Sequence, residues 1–229
     1  MGSGATGDLT VFAAASLTEP FTDLQAAQKV SNPSLSITYS FAGSGALGAQ
    51  IENGAPADVI ATADEVSMQR LVDAGLVEVP TVFATNQLAI LVAPGNPLDV
   101  GGLTDLERED IKLVLGDSTV PVGRYADQVL SAAGVTVAPV SRELDVKAAV
   151  AKVTSGEADA AIVYATDVTA AGARGEGVVI PEAQNVVARY PVAVVRGSPH
   201  RSAASAFIEL LIRGAGRDAL EAPGFLPPR

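Results

Sequence analysis

A glycine-rich stretch that follows a predicted strand offers backbone groups that could bind an anion. Residues 43–48 read GSGALG, which fits the G-x-G-x-x-G pattern of dinucleotide-binding loops. Glycines let backbone N–H groups approach a ligand, and a helix that begins there adds unpaired N–H groups and the positive end of its dipole. The stretch therefore predicts an anion site, which could hold a cofactor pyrophosphate or a smaller oxyanion.

A dinucleotide site would make the chain a nucleotide-dependent oxidoreductase, with Asp64 as the acid that binds the ribose. Three features of the sequence oppose this alternative. The helix after Gly45 can extend only to about Asn53, and the preceding strand alternates polar residues over 36–40, whereas the first strand of that fold is buried on both faces. Asp64 can also simply cap the helix that follows it.

Ser16 holds a similar position after the first predicted strand, in the segment FAAASLTEPF. Ser16 to Glu19 also fits a capping box, in which the serine hydroxyl accepts from an N–H of its own helix. A hydroxyl and a nearby amide can both face a ligand, so the capping role and a binding role both stay open.

The composition excludes several classes of chemistry. Fifteen basic and 26 acidic residues give a formal charge of −11 without a basic cluster, so nucleic acid and anionic membrane surfaces are not expected partners. The chain has no cysteine, which excludes a thiolate metal site, and its single histidine makes a histidine-rich metal site or a Ser-His-Asp triad hard to build. That histidine, His200, is interpreted as a solvated loop residue. No apolar run reaches the roughly 18 residues that span a bilayer.

Alternating strands and helices must position these residues. Short apolar or β-branched runs alternate with helical patterns, which indicates parallel βαβ units in an α/β fold. Two longer strand-like runs, 81–94 and 185–197, bracket the middle of the chain. The predicted helices cover 17–29, 45–53, 65–74, 121–133, 146–155 and 201–213.

This pattern predicts two lobes joined by two hinge strands. The first lobe would contain 8–84 and 194–229, and the second 85–193. The opening residues 1–7, which begin MGSG, are interpreted as an expression scar and a disordered start. No charged-then-apolar segment precedes the first strand, so we expect any export signal or lipid-attachment segment to be absent from this chain.

Five blocks, in order along the chain, strongly resemble the molybdate-binding proteins of bacterial ABC importers. The resemblance runs from about Leu9 to Phe225 and implies a type II periplasmic binding protein, in which each lobe is a mixed sheet flanked by helices. The oxyanion of that family sits in the cleft between the lobes. The blocks are FAAASLTEPF, SFAGSGALGAQIENGAPADVIATAD, GDSTVPVGRYADQVL, ELDVKAAVAKVTSGEADAAIVYATD and RYPVAVV.

The resemblance implies a site made of neutral hydrogen-bond donors, which would hold the metal of molybdate through its oxygens without any separate cofactor. The glycine-rich stretch is then an anion cradle. The implied ligands are the hydroxyls and amides of Ser16 and Ser44 in the first lobe, and the amides of Val122 and Val146 with the phenol of Tyr164 in the second.

Two helix starts fit this role. Pro121 suits a first helical position, where its missing N–H costs nothing, so the following amides of Val122 and Gly123 stay unpaired. Asp145 can cap its helix by accepting from the second or third helical N–H, which leaves the Val146 N–H available. Tyr164 could instead be a core aromatic residue between strand valines and alanines.

The function implied by the resemblance is capture of molybdate or tungstate and its delivery to an ABC permease, without catalysis. Hydrogen phosphate carries a proton that needs an acceptor, so a donor-only site would reject it, while rejection of the smaller sulfate would depend on cleft size. We expect a monomer that is periplasmic, or extracellular and anchored to the membrane. A third class, the ligand-sensing half of a transcription regulator, shares the fold, but no DNA-binding segment is visible in the sequence.

Overall fold

Strands and helices alternate along the chain in a computed structural model that describes residues 7–31 and 35–228. The chain divides into two compact units. Unit 1 contains the described residues up to Thr85 and those from Arg189 onward, and unit 2 contains Asn86–Ala188. Of the predicted scar, residues 1–6 lie outside the described part, and Gly7 already begins the first strand.

Unit 1 is built on three parallel strands and one antiparallel strand, in the order β2-β1-β3-β9. The edge strand β2 exposes Ser36 and Thr38 while it buries Leu35 and Ile37, which explains the polar alternation in its sequence. The strands are β1 (Gly7–Ala14), β2 (Leu35–Ala42), β3 (Val59–Ala61) and β9 (Val187–Val194, from Arg189 onward in this unit). The helices are α1 (Thr18–Ser31), α2 (Ser44–Glu52), α3 (Glu65–Asp73), α7 (Arg201–Arg213) and α8 (Ala215–Glu221).

The core of unit 1 fixes α2 and α3 on its sheet. Leu47 of α2 and Met68 and Leu71 of α3 pack with Phe12 and Ile60 of the strands, and all five are buried. Removing apolar side chains from water is the main favourable term in folding, so these contacts hold both helices against the sheet.

Unit 2 repeats the same plan, with three parallel strands and an antiparallel neighbour. β5 lies between β6 and β7, and β4 pairs antiparallel with both β7 and β8. The strands are β4 (Thr81–Val92, from Asn86 onward in this unit), β5 (Leu113–Gly116), β6 (Ser141–Glu143), β7 (Ala160–Tyr164) and β8 (Glu176–Val179). The helices are α4 (Pro121–Ala133), α5 (Val146–Thr154) and α6 (Ala165–Ala171).

The α/β prediction and its six helices are confirmed, since each predicted helix matches one in the structure to within about two residues at either end. The predicted strand-like runs at 81–94 and 185–197 correspond to β4 and β9, in which the chain passes between the units. The sequence patterns missed α6, α8 and the two short strands β6 and β8.

Candidate functional site

Three parallel strands of unit 1 end at the same edge of its sheet. Ala14 at the end of β1 pairs with Ala42 at the end of β2, and Ala13 pairs with Ala61 at the end of β3. Ser16 and Ser44 each follow the paired strand end by two residues. The register therefore brings the segments that carry the two predicted serines to one edge, the edge at which open α/β sheets bind ligands.

Ser44 is the first residue of α2, and a backbone N–H of the same unit holds its hydroxyl. Its residue is 1% exposed, and its Oγ accepts a hydrogen bond from the Ala63 N–H at 3.1 Å. A backbone N–H can only donate, so the hydroxyl proton of Ser44 is available to be donated to another group. No side chain caps α2, so the first two amides of the helix, those of Ser44 and Gly45, add further donors at the positive end of the helix dipole.

Ser16 lies in a short 3-10 helix, Ala15–Leu17, that leads into α1. Its Oγ is 3.1 Å from the hydroxyl of Tyr190, and both residues are buried. The capping-box interpretation of Ser16 is wrong, because the serine hydroxyl contacts Tyr190 rather than its own helix. Thr18 makes the local contact instead, donating to the Ala15 carbonyl at 2.7 Å.

The parallel strands of unit 2 also end together. Gly116 at the end of β5 pairs with Glu143 at the end of β6, and Val114 of β5 pairs with Ala161 of β7. The segments that follow these strands begin α4, α5 and α6. The edge thus brings together the segments of Val122, Val146 and Tyr164, the three residues predicted for this unit.

Val122 occupies the second position of α4, directly after Pro121. No side chain caps this helix, so the first-turn amides of Val122 and Gly123 have no intrahelical acceptor. Gly123 is sterically required, because a Cβ there would overlap the Asp117 carbonyl oxygen and come within 2.6 Å of the Gly116 carbonyl oxygen. The turn before α4 is therefore packed closely against the helix start.

Hydrogen bonds fix that turn. The Asp117 N–H donates to the Glu143 carbonyl at 2.8 Å, and the Val120 N–H donates to the Asp117 carbonyl at 3.0 Å. The hydroxyl and amide of Thr119 donate to the Asp117 carboxylate, and these hydrogen bonds lower the pKa of Asp117. These contacts hold the start of α4 in one place.

Val146 begins α5 under the cap that its sequence predicts. The Asp145 carboxylate accepts from the Ala148 N–H at 2.9 Å, the third helical position, so it does not occupy the Val146 amide. Val146 itself is 4% exposed. The predicted capping by Asp145 is confirmed, and it leaves Val146 N–H as a donor.

Tyr164 ends β7 and is 1% exposed. Its backbone N–H donates to one carboxylate oxygen of the buried Asp167 at 3.2 Å, and the other oxygen accepts from Lys147 Nζ at 2.9 Å. Asp167 thus links the start of α5 to the end of β7, and Lys147 balances its charge. No sequence pattern indicated this link, because Asp167 and Lys147 are 20 residues apart.

The glycine-rich stretch lacks the steric features of a dinucleotide loop. Gly43 has φ −60°, which any residue adopts, and a Cβ on Gly48 would meet only Leu71 Cδ2 at an ordinary 3.9 Å. Asp64 caps α3 by accepting from the Ser67 N–H at 3.0 Å, as the simpler interpretation predicted. Nothing in this geometry favours a cofactor.

His200 is not merely a solvated loop residue, as the sequence had suggested. It stands at the start of α7, and its Nδ1 lies 3.2 Å from the buried Asp58 carboxylate. Asp58 also accepts from the Thr10 amide and the Ser198 hydroxyl, at 2.7 and 2.6 Å. These contacts connect the loop before α7 to β1 and β3.

Within the described ranges, 7–31 and 35–228, no cluster of three or more histidine, aspartate or glutamate side chains could hold a metal ion. In the same part of the chain, no helix is both long and apolar enough to cross a bilayer. The predicted site residues are thus hydroxyls and helix-start amides at the strand ends of each unit.

This fold and this set of neutral donors define an α/β solute-binding protein. The chain matches the family described as bacterial extracellular solute-binding protein over residues 9–226, and it belongs to that family. It is 38% identical over 221 residues to the molybdate-binding protein ModA of Mycobacterium tuberculosis strain H37Rv, covering 96% of this chain and 85% of the relative. The family is one of binding proteins rather than enzymes, so the oxidoreductase interpretation is wrong.

A further relative agrees with this assignment, and a solved structure shares the fold. The molybdate-binding protein ModA of Haemophilus influenzae is 33% identical over 232 residues, which cover 96% of this chain and 91% of that protein. The periplasmic molybdate-binding protein of Azotobacter vinelandii has a similar solved structure, with a TM-score of 0.81, 21% identity, and coverage of 96% of this chain and all of that one. The structural likeness confirms the periplasmic binding protein fold.

Proposed function

We propose that this protein binds molybdate or tungstate and delivers it to an ABC permease. The observation that carries the proposal is the contact between Ser44 and Ala63. Because the Ala63 amide donates to Ser44 Oγ, the serine hydroxyl is set to donate to a ligand. An unprotonated oxyanion, which only accepts, is the ligand that fits such a group.

The donors in unit 2 support the same ligand. The Val122 and Val146 amides lie in the first turns of two helices, where backbone N–H groups and the helix dipole favour an anion. Tyr164 adds a phenol in the same unit. We propose that Ser16, Ser44, Val122, Val146 and Tyr164 bind one anion together, with the two units acting as the two lobes of the binding protein.

A chain with a net charge of −11 can bind a dianion because the interaction energy depends mainly on the groups in direct contact with the anion. Surface charges beyond a Debye length of about 8 Å are largely screened, whereas donors in contact with the anion act at a low local dielectric. At the unit 2 edge the buried Asp167 carboxylate is balanced by Lys147, and the carboxylates of Asp117 and Asp145 accept hydrogen bonds from Thr119 and from the Ala148 N–H. The donors therefore outweigh the remote negative charges.

Several finer points follow from the proposal and from the relatives. We propose that the protein works outside the cytoplasmic membrane as a monomer, where it would meet both the anion and the permease. The lobe boundary near residue 194 that the sequence predicted stays a prediction.

Titration of the purified protein with molybdate, tungstate, sulfate and phosphate tests this function. A ligand that binds only the folded state stabilises it by RT ln(1 + [L]/Kd), about 4 kcal/mol at a thousandfold excess over Kd. Molybdate and tungstate should raise the melting temperature strongly, and phosphate should leave it unchanged. An equal rise with phosphate would refute the donor-only site, and no rise with molybdate would refute the proposed ligand.

A further inference from the structure

Tyr190 is the group that contacts Ser16, although the two residues are 174 positions apart. Tyr190 is fully buried, and its hydroxyl lies 3.1 Å from Ser16 Oγ. No sequence motif indicated this contact, since Tyr190 stands in β9, 174 positions along the chain from Ser16.

Aromatic neighbours fix the position of the Tyr190 ring. Phe83 and Phe225 pack against it edge to face, with centroid distances of 6.4 and 5.2 Å and interplanar angles of 85° and 90°. The next residue, Pro191, accepts from the Thr62 N–H at 3.0 Å, which ties β9 to the segment after β3. The ring has little freedom, so its hydroxyl stays at Ser16.

We propose that Tyr190 is a positioning residue that makes Ser16 a hydrogen-bond donor to the ligand. This inference rests on the proposed function. A phenol is a stronger acid than an alkyl alcohol, so Tyr190 donates and Ser16 Oγ accepts. The Ser16 proton is then available to donate to the anion. The proton of Ser44 is available for the same reason, because the Ala63 N–H donates to Ser44 Oγ.

This arrangement also bears on which anions the protein accepts. To accept a hydrogen bond from hydrogen phosphate, Ser16 would have to turn its own proton away from the ligand. If Ser16 turned its proton toward Tyr190, that proton would meet the phenol proton, and the hydrogen bond between the two hydroxyls would be lost. Tyr190 thereby sets specificity against protonated oxyanions.

The test is a double-mutant cycle of Tyr190→Phe and Ser16→Ala, with molybdate and phosphate affinities measured by calorimetry. Tyr190→Phe keeps the ring and its packing and removes only the hydroxyl. We expect molybdate affinity to fall about three- to tenfold, the loss typical of one neutral hydrogen bond, while phosphate affinity does not fall. In the Ser16→Ala background, Tyr190→Phe should change nothing further.

Tyr39→Phe is the matched control in the same unit. The Tyr39 hydroxyl is buried without a hydrogen-bond partner among the described residues, and its removal should leave both affinities unchanged. An unchanged ratio of molybdate to phosphate affinity in Tyr190→Phe, or an equal effect in the Ser16→Ala background, would overturn the role of Tyr190. If the unmutated protein does not bind molybdate, the proposed function fails as well.

Discussion

Unit 1 and unit 2 present donors from the same edge of similar sheets, but they do so with different chemistry. Unit 1 offers two serine hydroxyls, Ser16 and Ser44, each with its oxygen in contact with a group of the same unit. Unit 2 offers two helix-start amides and one phenol. The geometry of a strand end followed by a helix start is common to both, and it does not depend on one residue type.

The glycines of the two units make the same point. In unit 1 the residues fit a dinucleotide fingerprint, yet Gly43 has a φ that any residue adopts, and a Cβ on Gly48 would make only an ordinary contact. In unit 2 no such fingerprint exists, yet Gly123 tolerates no Cβ. The sequence pattern of a motif therefore predicts the site less well than the space around each helix start does.

The largest expected effect is that of Gly123→Ala in unit 2. The added Cβ would overlap the Asp117 carbonyl oxygen, so the start of α4 and its amides must move. We expect the free energy of unfolding to fall by about 1–3 kcal/mol. We also expect molybdate affinity to fall at least a hundredfold, because two hydrogen bonds to a charged group are misplaced. Calorimetry and thermal melting would measure both, and unchanged affinity would remove α4 from the site.

Next in size are Ser44→Ala in unit 1 and Tyr164→Phe in unit 2. A hydrogen bond to a charged group contributes roughly 1.5–3 kcal/mol, so each variant should bind molybdate about ten- to a hundredfold more weakly. Neither change should unfold the ligand-free protein, which circular dichroism would check. Since Tyr164→Phe keeps the ring, full affinity in that variant would mean that Tyr164 is only a core aromatic residue.

Asp64→Ala should affect stability and not binding. Asp64 caps α3, and loss of such a cap typically lowers the free energy of unfolding by about 1 kcal/mol. Chemical denaturation would measure this loss. Calorimetry should show that the variant binds molybdate as tightly as the unmutated protein does. A large loss of affinity would revive Asp64 as a ligand-binding acid.

Gly48→Ala should have the smallest effect, and it is the matched control for Gly123→Ala. Its Cβ would meet only Leu71 at 3.9 Å, and alanine is favoured over glycine within a helix by up to about 1 kcal/mol. The variant should be slightly more stable and bind molybdate normally. Marked destabilisation would show that close packing at this glycine matters after all.

The sequence predicted best what local chemistry decides. Pro121 and Asp145 mark helix starts because each acts within one helical turn, and the structure places α4 and α5 where they indicate. Helix α6 was missed because it is only seven residues long and contains two threonines and a valine, which have low helix propensity. Asp167 stabilises its start through the Tyr164 amide.

Contacts between distant residues could not be read from the sequence. The Ser16 pair with Tyr190 and the Asp58 pair with His200 join residues 174 and 142 positions apart. Such contacts depend on which strands lie side by side, and a single sequence does not state that order. These contacts determine whether a buried hydroxyl donates or accepts, so the sequence could nominate Ser16 without showing how it is oriented.

The proposed site requires donors of both units to bind one unprotonated oxyanion. Its most direct test is the number of molybdate ions bound per chain at saturation, measured by calorimetry on the unmutated protein and on the Ser44→Ala and Tyr164→Phe variants. We expect one anion per chain, whose affinity falls in both variants. Two anions per chain, each lost in only one variant, would contradict it.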